Sequence, residues 1–362
     1  MRLPVARRVM FAVTLGLGVH TAAARAQVTV SGLGFAQYAY QLKTDSTLGP
    51  PGNANNFDVT RAYITAAGKF SDGISVRITA DIDGRKAATN QLTYRLKYAY
   101  VTWQPGGKGP LTYKIGEIHT PWVDWEENLN DYRFQGTMPM ERAGYLSSSD
   151  FGAGIDGMWN FEQVNAQIGL YDGENYNNAP GDYRKDIEGR ISFRLAKTDM
   201  AGRSGGVRFT AFADIGKSNG GGTRQRIIGM LSYKSKRVTL AGEIGITQDS
   251  VSATLTKEKG RVLAAYGVLN FPKSKWAVIG RVDVFDPNTD SVSTLTTNTA
   301  ASNTTKKAVN QQTRLITGLS YTVNSNFRFL ADVDLNSLQN GLPNSAFDNN
   351  RQTLYFHTEF KF

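Results

Sequence analysis

Apolar and polar residues alternate with a period of two over most of the chain beyond Gln27, and no helical period competes over a comparable length. In 74–82, Ile74, Val76, Ile78, Ala80 and Ile82 fall on one face of a strand, and Ser75, Arg77, Thr79 and Asp81 on the other. Tyr94, Leu96, Tyr98 and Tyr100 oppose Arg95 and Lys97. Ile187, Ile191, Phe193 and Leu195 oppose Glu188, Arg190 and Arg194. Phe327, Phe329, Ala331, Val333 and Leu335 oppose Arg328, Asp332 and Asp334. The last segment does the same: Leu354, Phe356, Thr358, Phe360 and Phe362 alternate with Tyr355, His357, Glu359 and Lys361.

With the length of a tilted membrane-spanning strand as ruler, about ten residues, the pattern predicts about 16 strands. They lie near 28–42, 57–70, 74–83, 93–104, 111–118, 151–161, 165–174, 186–197, 206–216, 223–234, 237–249, 261–271, 276–286, 311–323, 327–338 and 351–362. Tight connections such as Ser71-Asp72-Gly73 and Asn324 to Asn326 are rich in Gly, Asn, Asp or Pro. Longer ones, at 43–56, 84–92, 119–150, 175–185, 250–260, 287–310 and 339–350, alternate with them along nearly the whole chain. Thr198 to Gly205 is the main exception, a short-side turn about as long as the 217–222 loop that follows. Short turns at one end and longer loops at the other are the rhythm of a transmembrane β-barrel. The 287–310 stretch, dense in Ser, Thr and Asn, reads as a mobile surface loop.

The alternation alone does not say which face points inward. Three further features predict a wet interior. Met1 to Ala26 reads as a secretory signal peptide: Arg2, Arg7 and Arg8, then the apolar Val9 to Val19, then Ala24-Arg25-Ala26, with cleavage after Ala26. The final strand ends on the aromatic Phe362, suited to a membrane interface, and is expected to pair with the strand that starts near Val28. The loop rhythm is the third. A charge on the lipid face near the midplane would cost about 2–4 kcal/mol, so rows carrying several charges must face water inside. Residues 27–362 are expected to form one barrel domain in the bacterial outer membrane, in contact with its lipid.

Composition narrows the function. The formal charge of +10 falls to +6 once Arg2, Arg7, Arg8 and Arg25 leave with the signal peptide, so nucleic-acid binding loses its motivation. No cysteine is present, which excludes a disulfide framework or a thiolate metal site. Beyond residue 26 there is no apolar run long enough for a spanning helix, leaving a closed barrel as the way to satisfy the backbone in lipid.

The 119–150 segment is too long for an ordinary hairpin. Trp122, Trp125, Tyr132 and Phe134 give it much apolar surface, while Asp124, Glu126, Glu127, Asp131 and Glu141 outnumber Arg133 and Arg142. Folding into the lumen would bury the rings and set the acids against basic wall residues. The wall candidates near it are Arg61, Lys69, Arg77, Arg95, Lys97 and Lys114, with Arg190, Arg194, Arg208, Arg281, Arg314 and Arg328 further round. Such a loop narrows a pore and sets a transverse field across it. An outer lid or a subunit-contact loop is the other reading of the same residues.

Phe57-Asp58-Val59-Thr60-Arg61-Ala62-Tyr63 and Gly68-Lys69-Phe70-Ser71-Asp72-Gly73 resemble the second strand and first turn of the phosphate-selective porin O/P family. Lys114 to Trp122 is similar to that family's strand leading into the constriction loop. Met140-Glu141-Arg142 and Asp150 to Gly157 resemble the exit from it. The resemblance is clearest over about 57–160. It implies a 16-stranded, trimeric outer-membrane channel for small hydrophilic or anionic solutes. The family's phosphate selection depends on a dense basic ladder, whereas the 119–150 loop here is net acidic.

The expected function is therefore a passive porin with a weak anion preference, and not an enzyme. The rivals are a barrel enzyme such as a lipid hydrolase and a plugged structural or adhesive barrel. Beyond the signal peptide the chain has only His119 and His357 as histidines, and neither has a distinctive nucleophilic partner in the sequence. Asp172-Gly173-Glu174-Asn175 and Asp286-Pro287-Asn288 lack a full calcium ligand set, so no metal or cofactor is expected.

Overall fold

The computed structural model describes residues 27–44, 53–85, 91–176, 178, 183–218, 220–250, 254, 257–289, 293–299, 302–308, 311–339 and 351–362. The expected signal peptide and its cleavage site lie outside these residues. The strands are β1 (Gln27–Thr44), β2 (Asn55–Lys69), β3 (Ile74–Arg85), β4 (Leu92–Trp103), β5 (Leu111–His119) and β6 (Ser149–Trp159). They continue as β7 (Val164–Tyr171), β8 (Asp186–Ala196), β9 (Gly206–Lys217), β10 (Thr223–Lys234), β11 (Val238–Asp249) and β12 (Glu258–Asn270). The last are β13 (Trp276–Asp286), β14 (Ser293–Thr299), β15 (Ser302–Ala308), β16 (Gln311–Thr322), β17 (Phe327–Gln339) and β18 (Arg351–Lys361).

All but β14 and β15 form one closed antiparallel barrel of sixteen strands, in which each pairs with its chain neighbours and β13 pairs with β16. Closure joins β18 to β1, with Leu33 opposite Lys361 and reciprocal backbone bonds between Gly32 and Phe362 at 3.0 and 3.1 Å. Closure leaves no edge strand with unpaired backbone groups, the condition for spanning lipid with strands. The 287–310 stretch, expected as a loop, contains the separate hairpin β14–β15. Its many threonines, β-branched and suited to extended backbone, account for the difference.

The polar rows point inward. Along β10, Ile227 and Leu231 are 66% and 57% exposed, while Arg226, Ser232 and Lys234 are buried. Along β17, Phe327 is exposed, and Asp332 and Asp334 are buried. One expected face is corrected by the structure. Between β3 and β4 the register passes from Thr79 opposite Tyr98 to Ala80 opposite Leu96, leaving Lys97 unmatched as a bulge. A single extra residue reverses the side-chain parity that follows it. Leu96 stays on the outer face with Tyr94, but Tyr98 turns inward, where the Arg77 guanidinium sits 4.8 Å from its ring centre.

Candidate functional site

The connection between β5 and β6 carries helix α1 (Pro121–Leu129), a 3-10 turn at Arg133–Gln135 and the single-turn helix α2 (Pro139–Arg142). Pro121 occupies the first helical position, where its fixed φ and missing N–H cost nothing. Trp122, Trp125 and Leu129 follow at helical spacing on one face. With Met140 they are fully buried against Phe212, Ile228, Met230, Val262 and Tyr266 of β9, β10 and β12. Tyr132 and Phe134 pack in a second cluster with Phe35, Ala277, Ile279 and Leu330. The segment thus runs across the inner faces of both halves of the barrel.

Two wall glycines give it seats. A Cβ on Gly245 would stand 2.5 Å from Met140 Sδ, and one on Gly260 would stand 2.1 Å from the Tyr145 hydroxyl. Both distances are shorter than packed carbon contacts allow, so a bare backbone at these positions admits the loop.

The loop's charges are bound to partners. Asp124 lies 2.6 Å from Arg203, Glu127 2.5 Å from Arg133, and Asp131 3.0 Å from Lys234. Burial disfavours the Asp124 carboxylate, but Arg203 more than offsets this and holds it below the usual carboxylate range. Arg133 is raised above its ordinary value: burial opposes the charge, but Glu127 and Tyr63 outweigh it. Glu126 is fully buried, and burial with the neighbouring Glu243 pushes its carboxyl well above the usual range. Its environment therefore favours the protonated, neutral form. Glu141 and Arg142 are half-buried, Arg142 lying 3.6 Å from Asp283, which itself pairs with Arg281 at 2.7 Å.

Among the basic wall candidates, several hold structure. Arg190 donates Nε to the Pro121 carbonyl and Nη1 to Asn165, with its guanidinium 4.7 Å from the Trp125 ring centre. Arg194 donates to the Phe161 carbonyl at the short-turn end. Lys114 pairs with Asp156 at 2.6 Å, and Lys69 sits exposed at the end of β2. Lys97 is buried beside Ser148 and the Tyr176 ring.

A different set gathers on β2–β4. Arg61 lies 3.6 Å from Asp81 and 5.0 Å from the Tyr63 ring centre; Arg77 donates to Thr79 and covers Tyr98. Arg95 donates to the Tyr176 hydroxyl and stacks on its ring at 4.4 Å. Arg133 from the loop reaches the same Tyr63. The outcome is a cationic wall faced with tyrosine rings, in which cation–π contacts hold guanidinium groups without cancelling their charge.

Lys234 and Arg203 are not among the basic wall residues expected from the sequence, yet both reach the loop. Lys234 Nζ donates to the Asn128 and Leu129 carbonyls, at the C-terminus of α1, as well as to Asp131. Arg203 comes from the long short-side turn, which also reaches α1 through Ser204 Oγ to the Asn128 carbonyl. The unusual length of that turn was the available signal. Among the described residues, no group of three or more His, Asp or Glu is placed to hold a metal ion.

A comparison with solved structures finds the same barrel at low identity. An anion-selective porin from Comamonas acidovorans superposes with a TM-score of 0.65 at 11% identity, over 93% of this chain and 100% of that one. OmpT of Vibrio cholerae, in its trimer form, gives 0.60 at 11% identity over 93% and 99%. The outer-membrane channel DcaP of Acinetobacter baumannii gives 0.61 at 10% over 94% and 99%. A search of curated protein sequences finds no match. The family model described as phosphate-selective porin O and P matches residues 33–245, more than half of the chain. This protein belongs to the phosphate-selective porin O and P family.

Proposed function

We propose that this channel sorts small hydrophilic solutes by size at the 119–150 constriction and by charge along the β2–β4 wall, with a weak preference for anions. Family membership and the closed barrel support a bacterial outer-membrane diffusion channel and favour it over an enzyme. The observation that carries the charge preference is the fate of the loop's acids. Asp124, Glu127 and Asp131 are each matched by a cation, and burial with Glu243 favours the neutral form of Glu126, so of the loop's five acids these four add little to a negative field and Glu141 remains. Arg61, which lies 3.6 Å from Asp81, and Arg77 and Arg95 line one wall with tyrosine rings beside them. A low-dielectric wall bearing one sign of charge concentrates the opposite ion.

The anion selectivity named for the Comamonas porin agrees with this reading, and the trimer form of OmpT supports assembly of this chain as a homotrimer. Reversal potentials in a planar bilayer under a KCl gradient test the preference. A potential of the sign set by chloride is expected; strong cation selectivity would overturn it. Light scattering of the detergent-solubilised barrel tests the trimer.

A further inference from the structure

On the lipid side of β10 to β13 the barrel wall is hollowed. Two adjoining depressions of about 510 and 650 Å³ share Leu231, Gly242, Ala265 and Val282 and form one groove. Its flanks are exposed apolar side chains, among them Leu240, Ile244, Leu263 and Leu315. Its floor passes from Gly229 through Gly242 and Ala265 to Gly280, crossing three inter-strand steps and four residues along the strands. At about 4.8 Å per strand and 3.4 Å per residue, that is a path of about 20 Å.

Nothing within the chain calls for glycine at three of these points. A Cβ on Gly229, Gly242 or Gly280 would meet no atom within 4 Å, and none of the three has a positive φ. No bulge interrupts the pairing of β10 with β11, β11 with β12 or β12 with β13. A glycine inside a strand weakens it, and without a bulge or bend it marks a close approach by another molecule.

Lipid chains fill any apolar hollow in a membrane, so the groove alone selects no occupant. The charge at its foot does. Short turns of such a barrel face the periplasm, at the headgroup level of the inner leaflet. The turn after β10 exposes Lys236 and Arg237 there, and the turn after β12 exposes Lys273. Asn270 joins the two turns, donating its backbone N–H to the Arg237 carbonyl and its side-chain amide to the Lys236 carbonyl. None of the three cations has an ion pair among the described residues. The neighbouring carboxylate, Asp199, accepts the Lys236 backbone N–H at 3.0 Å. Trp276 and Tyr321, with ring centres 4.7 Å apart, stand at the foot of β13 and β16, as rings at a headgroup boundary do.

A second copy of the chain would answer this charge poorly. Over the described short turns, Asp72, Glu162 and Asp199 are the only acids. A lipid phosphate supplies the missing charge, attached to a chain that fits the groove.

We propose that an anionic phospholipid of the inner leaflet binds here, with one acyl chain along the Gly229–Gly280 floor and its phosphate at Lys236, Arg237 and Lys273. The site depends on the barrel's place in the outer membrane and stands apart from the channel's ion preference.

Native mass spectrometry of the full-length barrel in detergent tests the proposal, with dioleoyl phosphatidylglycerol, dioleoyl phosphatidylcholine and inorganic phosphate as separate probes. One retained phosphatidylglycerol per chain is expected, with phosphatidylcholine, equal in chains but without net charge, at least about tenfold weaker. Gly242→Leu with Gly280→Leu fills the floor; Lys236→Gln, Arg237→Gln and Lys273→Gln together remove the charge. Each set should weaken phosphatidylglycerol by at least about tenfold while still conducting in bilayers, which shows that the barrel has folded. Equal retention of the two lipids, inorganic phosphate retained in place of lipid, or no lipid at all would overturn the proposal. So would full retention by either conducting variant. A glycine variant that splits an oligomer into single chains would also overturn it, because a second copy would then occupy the groove.

Discussion

Lys234 Nζ donates to the main-chain carbonyl of Leu129 at 2.9 Å, joining the last residue of β10 to the last turn of a helix 105 residues earlier in the chain. The same ammonium reaches the Asn128 carbonyl and Asp131, with the lysine side chain 3% exposed. A cation at a helix C-terminus meets the negative end of the helix dipole and satisfies carbonyls that have no partner within the helix.

Replacing Lys234 with Met removes these donors and keeps the bulk. Local stability of α1 should fall by about 2 kcal/mol, roughly thirtyfold in the opening equilibrium. Hydrogen exchange of the 121–131 amides measures it: faster exchange there, with β10 and β11 unchanged, is the expected result. Unchanged exchange in α1 would show that the lysine is not an anchor.

Glu126 predicts a pH dependence. Its folded-state carboxyl is raised by burial and by Glu243, so the folded protein holds a proton that the unfolded chain releases in the ordinary carboxylate range. Stability is thus full at acid pH and declines as pH rises from that range toward the raised value. The limit is about 1.4 kcal/mol per pH unit for one proton. The near-ultraviolet circular dichroism of Trp122 and Trp125, followed through thermal unfolding at several pH values, should show this decline. Glu126→Gln, which keeps a neutral side chain at every pH, should lack it; a variant with the wild-type slope would locate the proton elsewhere.

Gly245 offers a steric test of the seat. Leucine there would occupy the space of Met140 Sδ and cannot be accommodated without moving α2. Overpacking of this kind costs about 1–3 kcal/mol. The barrel should remain intact by far-ultraviolet circular dichroism, while single-channel current becomes noisier as the loop leaves its seat. Pairing Gly245→Leu with Met140→Ala should restore quiet current, which a loop held elsewhere would not do.

The barrel was legible in the sequence because lipid enforces a strict rule: each strand must show an apolar row outward, and its partners must close the circle. All sixteen expected segments correspond to barrel strands, including the closing pair of β18 with β1. The bulge at Lys97 was not legible, since one extra residue leaves no mark on composition yet turns Tyr98 from one face to the other. The partners of the loop were hidden for another reason. Asp124 and Arg203 are 79 residues apart, and Asp131 and Lys234 are 103 apart, so only the closed barrel brings them together. Counting charges made the loop net acidic, whereas those pairings match two of its acids with cations from outside it.

Arg77 gives the sharpest test of the charge preference. Its guanidinium meets the Thr79 hydroxyl at 3.0 Å and the face of Tyr98, neither of which cancels its charge, whereas Arg61 lies 3.6 Å from Asp81. An anion passing about 5 Å from such a charge in water gains about 0.8 kcal/mol, and salt of about 0.1 M screens part of that. Arg77→Gln should therefore lower the ratio of chloride to potassium permeability by about two- to fourfold. Arg133→Gln, which also leaves Glu127 without its partner at 2.5 Å, should shift the ratio further toward cations. Reversal potentials of the two variants in the same salt gradient decide between local and diffuse control. If Arg77→Gln matches the wild type while Arg133→Gln shifts the potential, the loop rather than the β2–β4 wall sets the preference.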